Sequence, residues 1–232
     1  MARLSRLCIP GWPHVLLQRG HNRQAAFVDD VDRKLFRELL QDGAIRHGVQ
    51  IHAYALVDDE VRLLATPAAA DSFSQLMQSI GRRYVATFNR RHGRSGSLWE
   101  GRFRTTVVEP EQHLLRSMRF VEGLAVGGSG GLGLSPWTSA GHHLGARIDP
   151  LITEPAQFWS LGNTPFEREA VYRLLAEQGL TTAETQQIEA AVTAGWPLGQ
   201  TSFLKGLKAK TPRRLAPLPR GRPKKAVASD PI

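Results

Sequence analysis

The chain has 232 residues, 41% of them hydrophobic, and carries 30 Lys and Arg against 21 Asp and Glu, for a formal net charge of +9 and a pI near 10.4. That length and composition suffice for one medium domain with a smaller appendage and exclude both a mini-protein and a wholly disordered chain; the basic excess points to a polyanionic partner. A single cysteine, Cys8, excludes an intramolecular disulfide and a Cys/His zinc framework, and with no apolar run of the ~20 residues a membrane span needs and no apolar signal core, a cytoplasmic location without membrane contact is expected.

In chain order, His14 to Arg19, closed by Gly20, reads as a strand buried on at least one face. Asp29-Asp30 opens a helix whose apolar positions Val31, Leu35, Phe36, Leu39, Leu40 and Ile45 recur at three-to-four spacing and which ends near Gly48. His52 to Val57 and Glu60 to Ala65, separated by Asp58-Asp59, read as a hairpin. A second helix spans Ser72 to Arg91, apolar along Phe73, Leu76, Met77, Ile80, Tyr84, Val85 and Phe88 and cationic toward its end. After a Gly/Ser turn, Leu98 to Arg104 leads into a strand through Val108, and a third helix runs from Pro110 to about Val126.

The order β-α-β-β-α-β is that of a split βαβ, an α+β, ferredoxin-like antiparallel sheet with helices packed on one face. Residues 1–126 form this domain, and 127–163 a connector, glycine-rich from Gly127 to Gly133, whose Pro136-Trp137 and His142-His143 segment packs back on the sheet. Residues 164–210 form a helical appendage: a helix from Thr164-Pro165 to Gln178 with Phe166, Ala170, Leu174 and Leu175 inward, another over Ala183 to Ala194, and a short basic one over Ser202 to Lys208. The last two, joined by a Gly-containing turn, match either a helix-turn-helix or an ordinary hairpin. Residues 211–232 have no helical period and are expected to be a disordered basic tail.

The tail holds Arg220-Gly221-Arg222-Pro223-Lys224-Lys225, which resembles an AT-hook: Arg side chains enter a narrow A·T minor groove while Gly and Pro keep the backbone close and extended. With Lys205 and Lys208, and with Arg82, Arg83, Arg90, Arg91, Arg94, Arg102 and Arg104 around the second helix and the strand after it, these residues are the candidate DNA contacts. The adjacent His142 and His143 point in different directions along a chain and make a poor metal pair.

Several blocks together resemble one family, the REP-associated tyrosine transposases, which are related to the single-tyrosine transposases of bacterial insertion sequences. They are His14-Val15 through Gln18-Arg19-Gly20-His21-Asn22-Arg23, Phe88 through Phe103 with its Ser97-Leu98-Trp99-Glu100-Gly101-Arg102 centre, Pro136-Trp137-Thr138-Ser139, and Leu198-Gly199 with Phe203. The resemblance implies relaxase-like chemistry: two His at alternate strand positions share one divalent metal, Mg²⁺ or Mn²⁺, which polarises a DNA phosphate, and a Tyr on a later helix attacks it and forms a covalent phosphotyrosine.

Laid on this sequence, the His pair falls on Glu60 and Arg62 and the Tyr on Phe120. A guanidinium keeps its charge at neutral pH and repels a metal, and Phe120 has no hydroxyl. The expectation is therefore a DNA-binding, catalytically degenerate relative without a metal, recognising a hairpin or repeat as a regulator or accessory factor, with Arg62 joining the phosphate contacts. Homodimerisation stays open. So do an active single-strand nicking enzyme using Tyr84 as displaced nucleophile and His52 as displaced ligand, and an RNA-binding protein built on the same sheet topology, although its central strands offer Tyr54 alone as an aromatic.

Overall fold

The computed structural model, which describes residues 5–123 and 135–217, has the expected order of strands and helices as far as the third helix, and only helices follow the last strand. Strands β1 (His14–Arg19), β2 (Val49–Val57), β3 (Glu60–Pro67) and β4 (Arg104–Val107) form one sheet in the order β2-β3-β1-β4, and every neighbouring pair is antiparallel. Helix α1 (Asp30–Arg46) follows β1 and α2 (Ser72–Arg91) follows β3, which gives the ferredoxin-like arrangement. The Asp29 side chain accepts from the backbone of Val31 and Asp32 and so fixes where α1 begins.

Period-two alternation divides the strands between two cores. Leu16, Tyr54, Leu63 and Ala65 meet Phe36, Leu39 and Leu40 of α1 and Phe73, Leu76, Ile80 and Tyr84 of α2. The two helices approach closely at Gly43, where a Cβ would lie 2.7 Å from Leu76 Cδ1. Val31 and Ile45, expected inward, are exposed because they lie to either side of this stripe.

The expected sheet with helices on one face thus corresponds to α1 and α2, but the opposite face is covered as well. Val15, Leu17, Ala53, Ala55 and Leu64 pack against α3 (Pro110–Glu122), α5 (Ala156–Trp159), α6 (Pro165–Gln178) and α7 (Thr182–Ala194) through Leu114, Met118, Val121, Phe158, Tyr172, Ile188 and Val192. With both faces buried, the strands read as continuous apolar runs, and position 164 marks no break in packing.

Residues 137–139 pair back along β2, with Leu56 N donating to Trp137 O at 2.9 Å and Ser139 N to Tyr54 O at 3.0 Å, as expected of that segment. His142 and His143 lie in a short helix, α4 (Ala140–His143), rather than in irregular chain. Leu198 pairs along β4, so both sheet edges are covered.

Three further expectations are corrected. In α6 the inward residues are Arg168 and Tyr172, while Phe166, Ala170 and Leu174 face out, because the Tyr172 hydroxyl anchors the helix by donating to buried Glu122 at 2.7 Å. Helix α8 (Thr201–Lys208) buries Phe203 and Leu207 against Leu7, Ile9 and Val107, whereas α7 packs on the sheet, so the two helices occupy different clusters and do not form a helix-turn-helix unit. Residues 211–217 are not a free tail: Arg213 donates to Gly195 O at 2.8 Å and Leu215 joins the α8 cluster. The Gly127 to Gly133 stretch, the end of the third helix expected to reach Val126, and the AT-hook-like residues Arg220, Arg222, Lys224 and Lys225 lie outside the described residues.

Candidate functional site

Glu60 and Arg62 stand two apart on β3, so both side chains leave the same face, the one that α3 covers. Phe120, in the last turn of α3, comes down on that face beside them. The structure therefore brings together Glu60, Arg62 and Phe120, the three positions that the sequence resemblance singles out.

What they build is a closed ion-pair cluster. Arg62 Nε donates to Glu60 Oε1 at 2.5 Å, Arg62 Nη1 donates to Phe120 O at 3.1 Å, and the guanidinium carbon lies 4.1 Å from the centroid of the Phe120 ring. The second Glu60 oxygen accepts from Arg19 Nε and, at 3.3 Å, from Arg23 Nη1. Arg19 reaches on to Glu189 of α7 at 3.0 Å, which ties the far helix to the cluster. Side-chain exposure is 2% at Glu60 and 11% at Arg62. Burial by itself would raise the Glu60 carboxyl, yet its pKa is lowered, because Arg19 and Arg62 outweigh the loss of hydration.

This donor set does not fit a divalent metal. Both carboxylate oxygens of Glu60 are engaged by guanidinium groups, and Arg62 holds a permanent charge at the place the second ligand would take. Among the described residues no group of three or more His, Cys, Asp and Glu side chains could hold a metal ion. Nor is Arg62 a phosphate contact at the surface, since it is turned inward and spent on Glu60 and Phe120.

The displaced residues are no better placed. Tyr84 is fully buried, its hydroxyl donates to Ala26 O at 2.6 Å, and burial pushes its pKa far up, so it is a core residue with a satisfied polar end. Both ring nitrogens of His52 are occupied, Nδ1 by Thr153 O at 2.7 Å and Nε2 by Thr66 Oγ1 at 2.8 Å.

The basic residues divide into two groups. Arg91 clamps the start of α1, with contacts of 2.5 to 2.7 Å to Asp29 and Asp32, and is structural. Arg83 faces Asp42 at 3.9 Å, Arg94 donates to Gln24 at 3.1 Å, and Arg104 donates to Thr193 O at 3.2 Å. Arg82, Arg90, Arg102, Lys205 and Lys208 are exposed, and none has a hydrogen-bond or ion-pair partner among the described residues.

Sequence reasoning did not single out Arg19 and Arg23 as site residues, although they sit in one of the blocks that carry the resemblance. It also missed a buried network in which Glu122 accepts from Ser139 Oγ at 2.5 Å, His143 Nδ1 at 2.6 Å and Tyr172. Its signal is an acid two residues beyond Phe120, on a helix otherwise turned to the core.

No family model matches the chain, and no curated protein matches it. Among solved structures, the REP-associated tyrosine transposase bound to a REP hairpin superposes with a TM-score of 0.53 and 13% identity over 67% of this chain and 92% of that one, a likeness that establishes the fold. A protein of Deinococcus radiodurans R1 described as a transposase aligns over 51% and 90% at 22% identity and a TM-score of 0.37. The tRNA(His) guanylyltransferase of Saccharomyces cerevisiae aligns over 85% and 83% at 14% identity and a TM-score of 0.38. The last two superpositions are too loose to argue from. No helix among the described residues is long and apolar enough to cross a membrane.

Proposed function

We propose that this chain is a transposase-like protein that binds DNA at a hairpin or repeat element and does not cut it, acting as a regulator or accessory factor. The fold is that of a protein seen with a REP hairpin, and the +9 charge with the exposed cations on α2, the α2–β4 connection and α8 suits a phosphate backbone. The observation that carries the loss of cleavage is Arg62 seated between Glu60 and Phe120, which puts a fixed cation where a metal would polarise phosphate and a phenyl ring where a nucleophile would stand. In this reading the site is a structural knot that holds α3 and α7 to the sheet, and the DNA contacts lie elsewhere. The RNA-binding alternative is disfavoured because both sheet faces are covered and Tyr54 is buried with its hydroxyl on Asp149, leaving no open sheet for bases to stack on.

The test is incubation of the protein with labelled single-stranded and hairpin DNA in Mg²⁺ and in Mn²⁺. Binding without nicking, and without any adduct that survives denaturation, is expected. A covalent adduct would overturn the reading, and its disappearance in Tyr84→Phe would identify the nucleophile.

A further inference from the structure

A second basic feature lies at the β4 edge, away from the Glu60 cluster. A cleft of about 260 Å³ opens between the start of β4 and the end of α7, lined by Arg6, Arg102, Arg104, Arg213 and Trp196 with the backbone of residues 193–195, and by no acidic side chain among the described residues. Guanidinium groups gathered around one small space repel one another; Glu100, 4.0 Å from Arg104 Nη2, offsets one of them, whereas Arg102 and Arg213 have no ion-pair partner among the described residues. The last carbonyls of α7, the negative end of its dipole, accept from two of these cations, Thr193 O from Arg104 and Gly195 O from Arg213, which offsets part of their charge and leaves Arg102 and the remaining Arg213 donors unmatched.

Arg213 is the most telling member. It is held by the Gly195 contact and by the Trp196 ring 5.4 Å away, yet its Nε and Nη1 are buried and have no hydrogen-bond partner within the described protein. Buried donors left unpaired are costly, and a cationic donor more so than a neutral one. Arg102 is exposed at the mouth, and Arg6 is positioned by Phe103, whose carbonyl accepts from its Nε at 3.0 Å and whose ring lies 3.8 Å from its guanidinium. The volume falls just under the usual range for a small-molecule site, which starts at about 300 Å³, and suits a single phosphate group with its attached sugar.

We propose that this cleft is a phosphate-binding site in which Arg213 and Arg102 supply the charge-assisted hydrogen bonds. Two sources share that chemistry, a phosphodiester of a bound nucleic-acid strand and a free phosphate. The strand source rests on the DNA-binding reading above, while the site itself does not.

The experiment uses the full chain labelled with ¹⁵N, following the Trp196 indole N–H signal assigned through Trp196→Phe. Inorganic phosphate is titrated first, and then a hairpin oligonucleotide with a single-stranded extension, into the wild type, Arg213→Gln and Arg102→Gln. Phosphate is expected to shift the signal in the wild type and to lose that effect in both variants. Hairpin affinity is expected to fall about tenfold in each, as for the removal of one charge-assisted hydrogen bond, with the log-log salt slope flattened by about 0.7 to 0.9. Arg102→Gln guards against a folding artefact, since Arg102 has no partner among the described residues whereas Arg213 helps to dock 211–217.

A phosphate response without any change in hairpin affinity supports the site with free phosphate as its ligand. Weaker hairpin binding without a phosphate response supports the strand. An unmoved Trp196 signal together with unchanged hairpin affinity and slope in both variants overturns the site and leaves the DNA-binding reading standing. Failure of the wild type to bind any hairpin sinks that reading, while the phosphate titration still decides the site.

Discussion

Arg62 is held by three contacts at once, one to Glu60 and two to Phe120, and that sets what its removal costs. Truncation leaves Glu60 buried with only Arg19 and the exposed Arg23 to balance it. Arg62→Ala should therefore destabilise the fold by about 3 kcal/mol, the lower end of what breaking a buried pair costs, as read from urea denaturation. A destabilisation under about 0.5 kcal/mol would place Arg62 among ordinary surface cations. His14 presents the complementary case, a group kept neutral. Its Nε2 accepts from Ile9 N at 3.2 Å while Nδ1 faces Trp12 O at 2.8 Å, a pattern that the neutral ring satisfies and the imidazolium does not. Burial pushes its pKa down from 6.5 to about 4. The unfolded chain takes up this proton through pH 6.5 and the folded chain only near 4, so the contribution of His14 is fully present above the first value and is lost as pH falls toward the second. His14→Gln, whose amide oxygen can still accept from Ile9, should flatten the fall in stability between those limits by up to about 3 kcal/mol, measured as the difference between the two pH profiles. Parallel profiles would mean that His14 already carries a proton in the fold.

At the scale of elements, the helix starts at Asp29-Asp30 and Thr164-Pro165 were legible because they are written in local chemistry, whereas the Thr181 cap was not singled out. Thr164 and Thr181 each accept from the backbone of the glutamate three residues on, while Glu167 and Glu184 reach back to the cap residue, which completes a capping box on α6 and on α7. Thr181→Ala should cost about 1 kcal/mol of stability, seen as a lower urea midpoint at unchanged m-value. No change at all would mean that packing of Ile188 and Val192 alone holds the start of α7. The hairpin turn at Asp58-Asp59 and the span of α2 were readable for the same local reason. The inward face of α6 was not. Its apolar residues Phe166 and Leu174 point to solvent, and a polar anchor, Tyr172 on Glu122, sets the rotation of the helix. A buried acid on another helix decides that face, and apolar spacing within α6 carries no trace of it. The helix-turn-helix reading failed similarly, since α7 and α8 turn to separate clusters that only the tertiary fold defines.

For the whole molecule, the identity of the three residues that the resemblance singles out was visible in the sequence, but their mutual contact was not. Glu60, Arg62 and Phe120 come from two elements 58 residues apart, and only the α3 crossing places the phenyl ring over the guanidinium. Arg213 likewise meets Gly195 because residues 211–217 fold back on the end of α7. These long-range closures also define where the folded body can be cut. Leu215 and Arg213 are its last described anchors, and the sequence beyond 217 holds the basic run Arg220 to Lys225. Deleting residues 218–232 should leave the melting temperature unchanged, because the anchors of the described fold all stay in place. It should also weaken binding to A·T-flanked hairpins more than to G·C-flanked ones, since Arg220 and Arg222 are read as minor-groove contacts tethered to the main domain. The salt dependence should become shallower by about 0.7 to 0.9 for each phosphate that the shortened chain no longer neutralises. Equal affinities of the cut and full-length chains for both hairpins, with superimposable salt plots, would remove the tail from the interface and leave the folded body to account for all of the binding.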